Sequence, residues 1–228
     1  MYKGMRNDQN QMVSRTLSEL SAKGKLVQTG FYEKSILCAD CDNRILGRLD
    51  DYADGLLYGK GLIIREDGFS PDGQIRMLNL QGIDYKKFKL FLLSVLWRAH
   101  ISKNKFFENV NLGTEADKIR KIILNDVDVD ESTYKIVMFA IMLNERELAR
   151  MVVTPRHINE NGLNFCTFII NGFVYQINLQ QKDSLPIFSK EILRHTGQLN
   201  IAILNPEQTQ MVMSGYLKIT NPAKWIDI

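Results

Sequence analysis

Cysteine is scarce in this sequence, with three in 228 residues. That is too few for a disulfide framework, so a reducing, cytoplasmic setting is expected. Long apolar runs are lacking too. None approaches the ~18 residues a membrane-spanning helix needs, and no membrane partner is expected. Residues 1–8 place no apolar segment behind their basic side chains, unlike a secretory signal. Charge of one sign is not in excess: 29 Lys and Arg against 26 Asp and Glu leave +3, too little to imply nucleic acid by itself. Gly59-Lys60-Gly61 lacks the spacing and the hydroxyl of a phosphate-binding loop, and no serine sits in a nucleophile elbow. A nucleotide-binding enzyme or a common hydrolase is therefore unsupported. With 45% hydrophobic and 24% charged residues and no repeat, what remains is a chain that builds a core.

Val13, Leu17 and Leu20 stand at helical spacing ahead of the breakers Gly24 and Gly30, which predicts a short, weakly amphipathic helix. Ile45, Leu49, Tyr52 and Ala53 predict another behind Cys38-Ala39-Asp40-Cys41. Residues 54–83 carry six glycines and one proline, and read as loops with one hairpin. Asp84 then reads as the N-cap of the strongest helix, 85–102. Tyr85, Phe88, Leu92, Val95, Leu96 and Ala99 form its main stripe, and Phe91, Leu93 and Trp97 widen it until most of the girth is apolar. Thr114 and Asp117 approximate a capping box for a further helix, with Ala116, Ile119, Ile122 and Ile123 inside.

From Thr133 the period changes to that of strands, over 134–143, 150–157, 163–170 and 173–179. Asn171-Gly172 predicts a tight hairpin turn and Asn161-Gly162 another. Pro186 to Gly197 reads as a short helix, and 199–204 as one more strand. The fold class is α+β, a central buried helix followed by a mostly antiparallel sheet. The chain is expected to divide into 1–83, which carries the cysteine pair and glycine-rich loops, and 84–228, an α+β domain.

Cys38-Ala39-Asp40-Cys41 admits three chemistries. Two thiolates at this spacing can hold zinc, although a closed structural site needs four ligands. A dithiol at a helix start can be redox-active, but a thioredoxin-like site wants a βαβ sheet around it, and no such alternation follows. Both can also be packed as small hydrophobes. Cys166, His100, His157 and His195 supply no second pair at knuckle spacing, and Cys166 and His100 read as packed residues.

The stretch Gly30-Phe31-Tyr32-Glu33-Lys34-Ser35-Ile36-Leu37-Cys38-Ala39-Asp40-Cys41-Asp42-Asn43, with Leu49-Asp50-Asp51-Tyr52-Ala53, resembles bacterial and phage proteins labelled HNH-endonuclease-like. Phe88 to Ala99 is similar to their next shared segment, and the likeness covers about 25–110. The resemblance implies a treble-clef-like remnant, zinc on Cys38 and Cys41, a place in phage–host conflict, and Arg44 and Arg48 facing a partner. In that group a first cysteine pair and a nuclease histidine precede the matched part, and neither stands in this sequence. No catalytic residue is therefore assigned, because a general base and a metal are both needed to hydrolyse the phosphodiester. The chain reads either as a shortened relative that keeps the scaffold or as one whose nuclease half lies upstream. Two copies pooling their cysteine pairs into one zinc at a dimer axis are a further arrangement.

Lys86, Lys87 and Lys89 cluster at the start of the core helix, with Arg98, Lys103 and Lys105 at its end and Lys118, Arg120 and Lys121 beyond. They are candidate phosphate contacts, weighed against ordinary solvated helix surface. Asp126, Asp128 and Asp130 alternate without the glycine and distal ligand of a calcium loop, and read as an acidic linker. The functional expectation is a non-catalytic binding module contacting DNA or a protein, with an HNH-type nuclease as the rival.

Overall fold

The computed structural model describes residues 9, 11–15, 25–27, 33, 36–57, 59, 63–69, 73, 75–141, 151–160, 163–180 and 192–209. In chain order these form β1 (Met12–Arg15), β2 (Lys25–Val27), a π-helical segment (Asp40–Leu46) continuous with α1 (Gly47–Leu57), β3 (Ile63–Phe69) and β4 (Arg76–Gln81). Next come α2 (Tyr85–Ile101), a 3₁₀ turn (Lys105–Phe107), α3 (Glu115–Leu124), β5 (Ile136–Ile141), β6 (Met151–Glu160), β7 (Leu163–Ile170), β8 (Phe173–Asn178) and β9 (Leu199–Leu204). The nine strands make one sheet in the order β2-β1-β6-β7-β8-β5-β9-β4-β3. Only β1–β6 and β5–β9 are parallel neighbours, so the fold is α+β with a mostly antiparallel sheet.

The core helix stands where the sequence puts it. Asp84 accepts the Lys87 backbone N–H at 3.1 Å, and Ser102 ends the helix. Phe88, Leu90, Phe91, Leu93 and Leu96 are all buried, so apolar contact surrounds α2 on several sides. Its Phe91, Leu92 and Val95 face Phe168 and Ile170 of β7 and Tyr175 and Ile177 of β8 across a small apolar cavity. α1 packs beside α2 through Leu49, Ala53 and Leu56, continued by Leu46 of the π-helical segment. Ile45 and Tyr52, expected inside, are half-buried, while Leu46 turns inward in line with the expected Leu49 and Ala53. Arg98 clasps Asp50 through two bonds of 2.8 and 2.7 Å and fixes the crossing of the two helices.

Asn171 and Gly172 have φ of 54° and 78° and turn β7 into β8, as the dipeptide predicts. The hairpin expected within 54–83 is β3–β4, with a bulge between Arg65 and Asp67. Three local expectations fail. Residues 12–15 are a strand instead of a helix: Met12 and Ser14 are both buried, a period of two, and β1 pairs with β2 and β6. Leu17 and Leu20 lie outside the described residues. Thr114 makes no side-chain cap, since its backbone is already helical, and a Glu115 N–H to Leu112 carbonyl bond starts α3 instead. The C-terminal end of the expected 186–197 helix is a bridge and a turn: Ile192 pairs with Val137, and Gly197 N–H returns to the Arg194 carbonyl. Residues 161–162 and 181–191 lie outside the described residues.

β4 precedes position 83 yet lies against β9, and β1 lies against β6. Sheet hydrogen bonds therefore cross the position where two parts were expected. Among the described residues no helix is long and apolar enough to cross a membrane.

Candidate functional site

Cys38 sits at the start of the helical stretch, with Ile36 and Leu37 half-buried just before it. Its carbonyl takes the Asp42 N–H at 3.0 Å, the first helical bond, and its sulfur takes the Cys41 N–H at 3.3 Å. The sulfur thus stands in for the oxygen of an ordinary N-cap. The Cys41 N–H and the Cys41 thiol lower the Cys38 pKa, while sharing with Cys38, burial and the Asp40 carboxylate raise that of Cys41. Cys38 is exposed and Cys41 partly covered. The arrangement favours one negative charge on the pair and resists a second.

The remaining soft ligands of the chain are occupied elsewhere. Cys166 is fully buried in β7, opposite His157 and Ile177, and burial pushes its thiol pKa up. His100 Nδ1 accepts the Leu112 N–H at 3.3 Å, His157 Nε2 meets Asn164 Oδ1 at 2.8 Å, and His195 stacks on Tyr85. Among the described residues no group of three or more His, Cys, Asp or Glu side chains is placed to hold a metal. Cys38 and Cys41 supply two of the four ligands a closed zinc site takes, and the chain's other cysteine and its histidines do not complete it.

Arg44 and Arg48, expected to face a partner, and the candidate phosphate contacts Lys86, Lys87 and Lys89 separate into two kinds. Arg44 grips Asp40 one turn back at 2.5 and 2.8 Å. Arg48 and Lys86 converge on Asp126 from α1 and α2, each at 2.6 Å. Lys87 pairs with Asp84 at 2.9 Å and lies 5.6 Å from the centre of the Tyr52 ring. These four are outward and close together, and each is held by a carboxylate. Lys89 is no surface group: it is 3% exposed and reaches the backbone carbonyl of Asp130, whereas Lys86 meets the same segment at its more open end, on Asp126. Of the other basic residues, Arg98 belongs to the Asp50 clasp, and Lys118 and Arg120 pair within α3.

Lys89 organises a second cluster. Its Nζ donates to Tyr85 Oη and to the Asp130 carbonyl, both at 2.7 Å, and lies 5.1 Å from the Tyr85 ring centre. Tyr85 OH donates onward to the Val129 carbonyl. His195 stacks on the Tyr85 ring at 3.8 Å between centres, with its nitrogens 3.4 Å from Asp128 and 3.6 Å from Glu131. Glu131 also takes the His195 N–H and the Arg194 guanidinium. Burial lowers the Lys89 pKa to about 8 against the pull of Asp130, Glu131 and Asp128. The acidic run read as a linker is therefore a structural hub. Asp126 meets the cations and Val129 enters the core, but Val127 stays exposed, so the alternation over 126–130 did not by itself signal the hub.

Compared with known protein families, with characterised proteins and with solved structures, the chain finds no match in any of the three.

Proposed function

We propose that this chain is a non-catalytic binding module whose working surface is the outer side of the 40–57 helical stretch together with the first turn of α2, and that its partner is a protein. The observation that carries this reading is the pairing of charges. Arg44, Arg48, Lys86 and Lys87 stand on that surface with Asp40, Asp126 and Asp84 between them. A phosphate backbone rewards unpaired positive charge, and here each cation would have to leave a carboxylate to reach it. A protein surface of interleaved sign satisfies both members of each pair. The resemblance to HNH-like scaffolds supports a setting in phage–host conflict.

The test is titration of a labelled short DNA duplex over a range of salt. The plot of log affinity against log salt is expected to be shallower than about −1, the equivalent of a single phosphate contact. A slope of about −3, flattened by Arg48→Ala or Lys87→Ala, makes the surface a nucleic-acid interface and overturns the reading. Magnesium-stimulated nicking of a plasmid, abolished by a substitution within this chain, overturns the non-catalytic part.

A further inference from the structure

We infer that Cys38 and Cys41 form a reversible dithiol–disulfide couple, with Cys38 as the attacking sulfur and Cys41 as the resolving one, and with low-molecular-weight disulfides of the glutathione class as its oxidant. The two residues are three apart, Cys38 just ahead of the helical stretch and Cys41 in its first turn, with the Asp42 N–H bonded back to the Cys38 carbonyl at 3.0 Å. Helix geometry sets such Cα atoms about 5 Å apart, inside the range a disulfide spans. The Cys41 N–H already orients the Cys38 sulfur, at 3.3 Å. Access is asymmetric in the required sense, since Cys38 is exposed and Cys41 is partly covered. The third cysteine does not compete, being buried in β7. The absence of a βαβ sheet around the pair, which weighs against thioredoxin ancestry, does not affect this chemistry, which needs only two sulfurs in reach and one in the open.

The exchange balances as two displacements. The Cys38 thiolate attacks one sulfur of the small disulfide R–S–S–R, forming a mixed Cys38–S–S–R bond and releasing RS⁻, which takes a proton from water. Cys41, giving its proton to solvent, attacks the Cys38 sulfur and expels the second RS⁻, which is protonated in turn. Counted from the dithiol, with the Cys38 proton already given to solvent, the protein loses two electrons and two protons, and one small disulfide becomes two thiols. The new bond ties the first helical turn at the end of the proposed binding surface. Its consequence for binding rests on that reading; its chemistry does not.

The full chain is equilibrated in glutathione buffers of graded reduced-to-oxidised ratio, quenched with an alkylating agent, and digested with trypsin. Cleavage after Lys34 and Arg44 leaves both thiols on one peptide, 35–44. As the buffer becomes more oxidising, this peptide is expected to lose both alkylation sites together and to become two hydrogens lighter. Cys41→Ser is expected to accumulate the Cys38–glutathione adduct about tenfold over the unsubstituted chain, because the resolving step is gone. Cys38→Ser is expected to leave Cys41 largely reduced in the same buffers. Three outcomes overturn the inference: independent alkylation of both thiols at every ratio, a crosslink between chains in place of the internal one, or protection that vanishes on adding a zinc chelator. The mass readout is independent of the DNA titration, so either proposal fails without the other.

Discussion

A lysine amine that donates to neutral oxygens in a buried site keeps its proton against the loss of water around it. Lys89 is in that position, and its pKa falls from 10.5 to about 8. Between those two values the unfolded chain holds a proton that the folded chain has released, so stability rises with pH through that window. Tyr85 and Tyr134 act in the opposite direction. Their phenols are harder to ionise when folded, and that contribution is lost as pH passes the ordinary tyrosine value of 10.0. Cys166 acts as the tyrosines do from the ordinary thiol value of 9.0, because burial makes its thiol harder to ionise when folded. The clean interval is therefore pH 8 to 9. Urea unfolding of the native chain is expected to gain about 1 kcal/mol across it, and Lys89→Met to show no such gain. Parallel curves for the two chains would mean that Lys89 does not carry the shift. Position 89 follows Lys86 and Lys87 closely in the sequence and reads as one more member of their cluster. Its partner is 41 residues away, so its burial was not legible.

At the scale of elements, periodicity carried α2, α3, β7 and β9, because their apolar pattern and their packing agree. It missed β1, where four residues are too few to tell a period of two from a helical turn and where β6 decides. It also missed the 192–198 turn, whose reason is tertiary. Gly197 has a φ of 73°, and its carbonyl receives the Ile83 N–H at 3.2 Å, which clamps β9's approach against the start of α2. A Cβ there would stand 2.4 Å from the Ile83 carbonyl oxygen. Gly113 has a comparable φ of 53° and nothing near a built Cβ. Gly113→Ala is expected to cost about 1 kcal/mol from the backbone alone, and Gly197→Ala about 2–4 kcal/mol from backbone plus collision. Thermal melts of the two variants separate the contributions. Equal shifts would mean that the clamp yields freely. At the candidate site the cysteine spacing and the helix behind it were legible, whereas the carboxylate partners of Arg48 and Lys86 were not, since Asp126 comes from a distant segment.

At the scale of the whole molecule, the sheet decides whether the chain unfolds in one step or two. A division at position 83 would separate β4 from β9 and β1 from β6, leaving backbone groups of four strands without partners. It would also strip α1 from α2, exposing Leu49, Ala53 and Leu56 on one side and breaking the Asp50–Arg98 clasp. Each part loses packing and sheet partners when the other leaves. A change in composition near the glycine-rich segment is visible in the sequence, but strand order is not, because pairing between β4 and β9 spans more than a hundred residues. One cooperative transition is the expected result. Far-UV circular dichroism, which follows helices and sheet together, and tryptophan fluorescence, which includes Trp97 on α2, are expected to coincide in urea with the same midpoint and slope. A fluorescence transition that precedes or trails the dichroism would mean that the part around α2 melts on its own, and that the β4–β9 junction is too weak to couple the two.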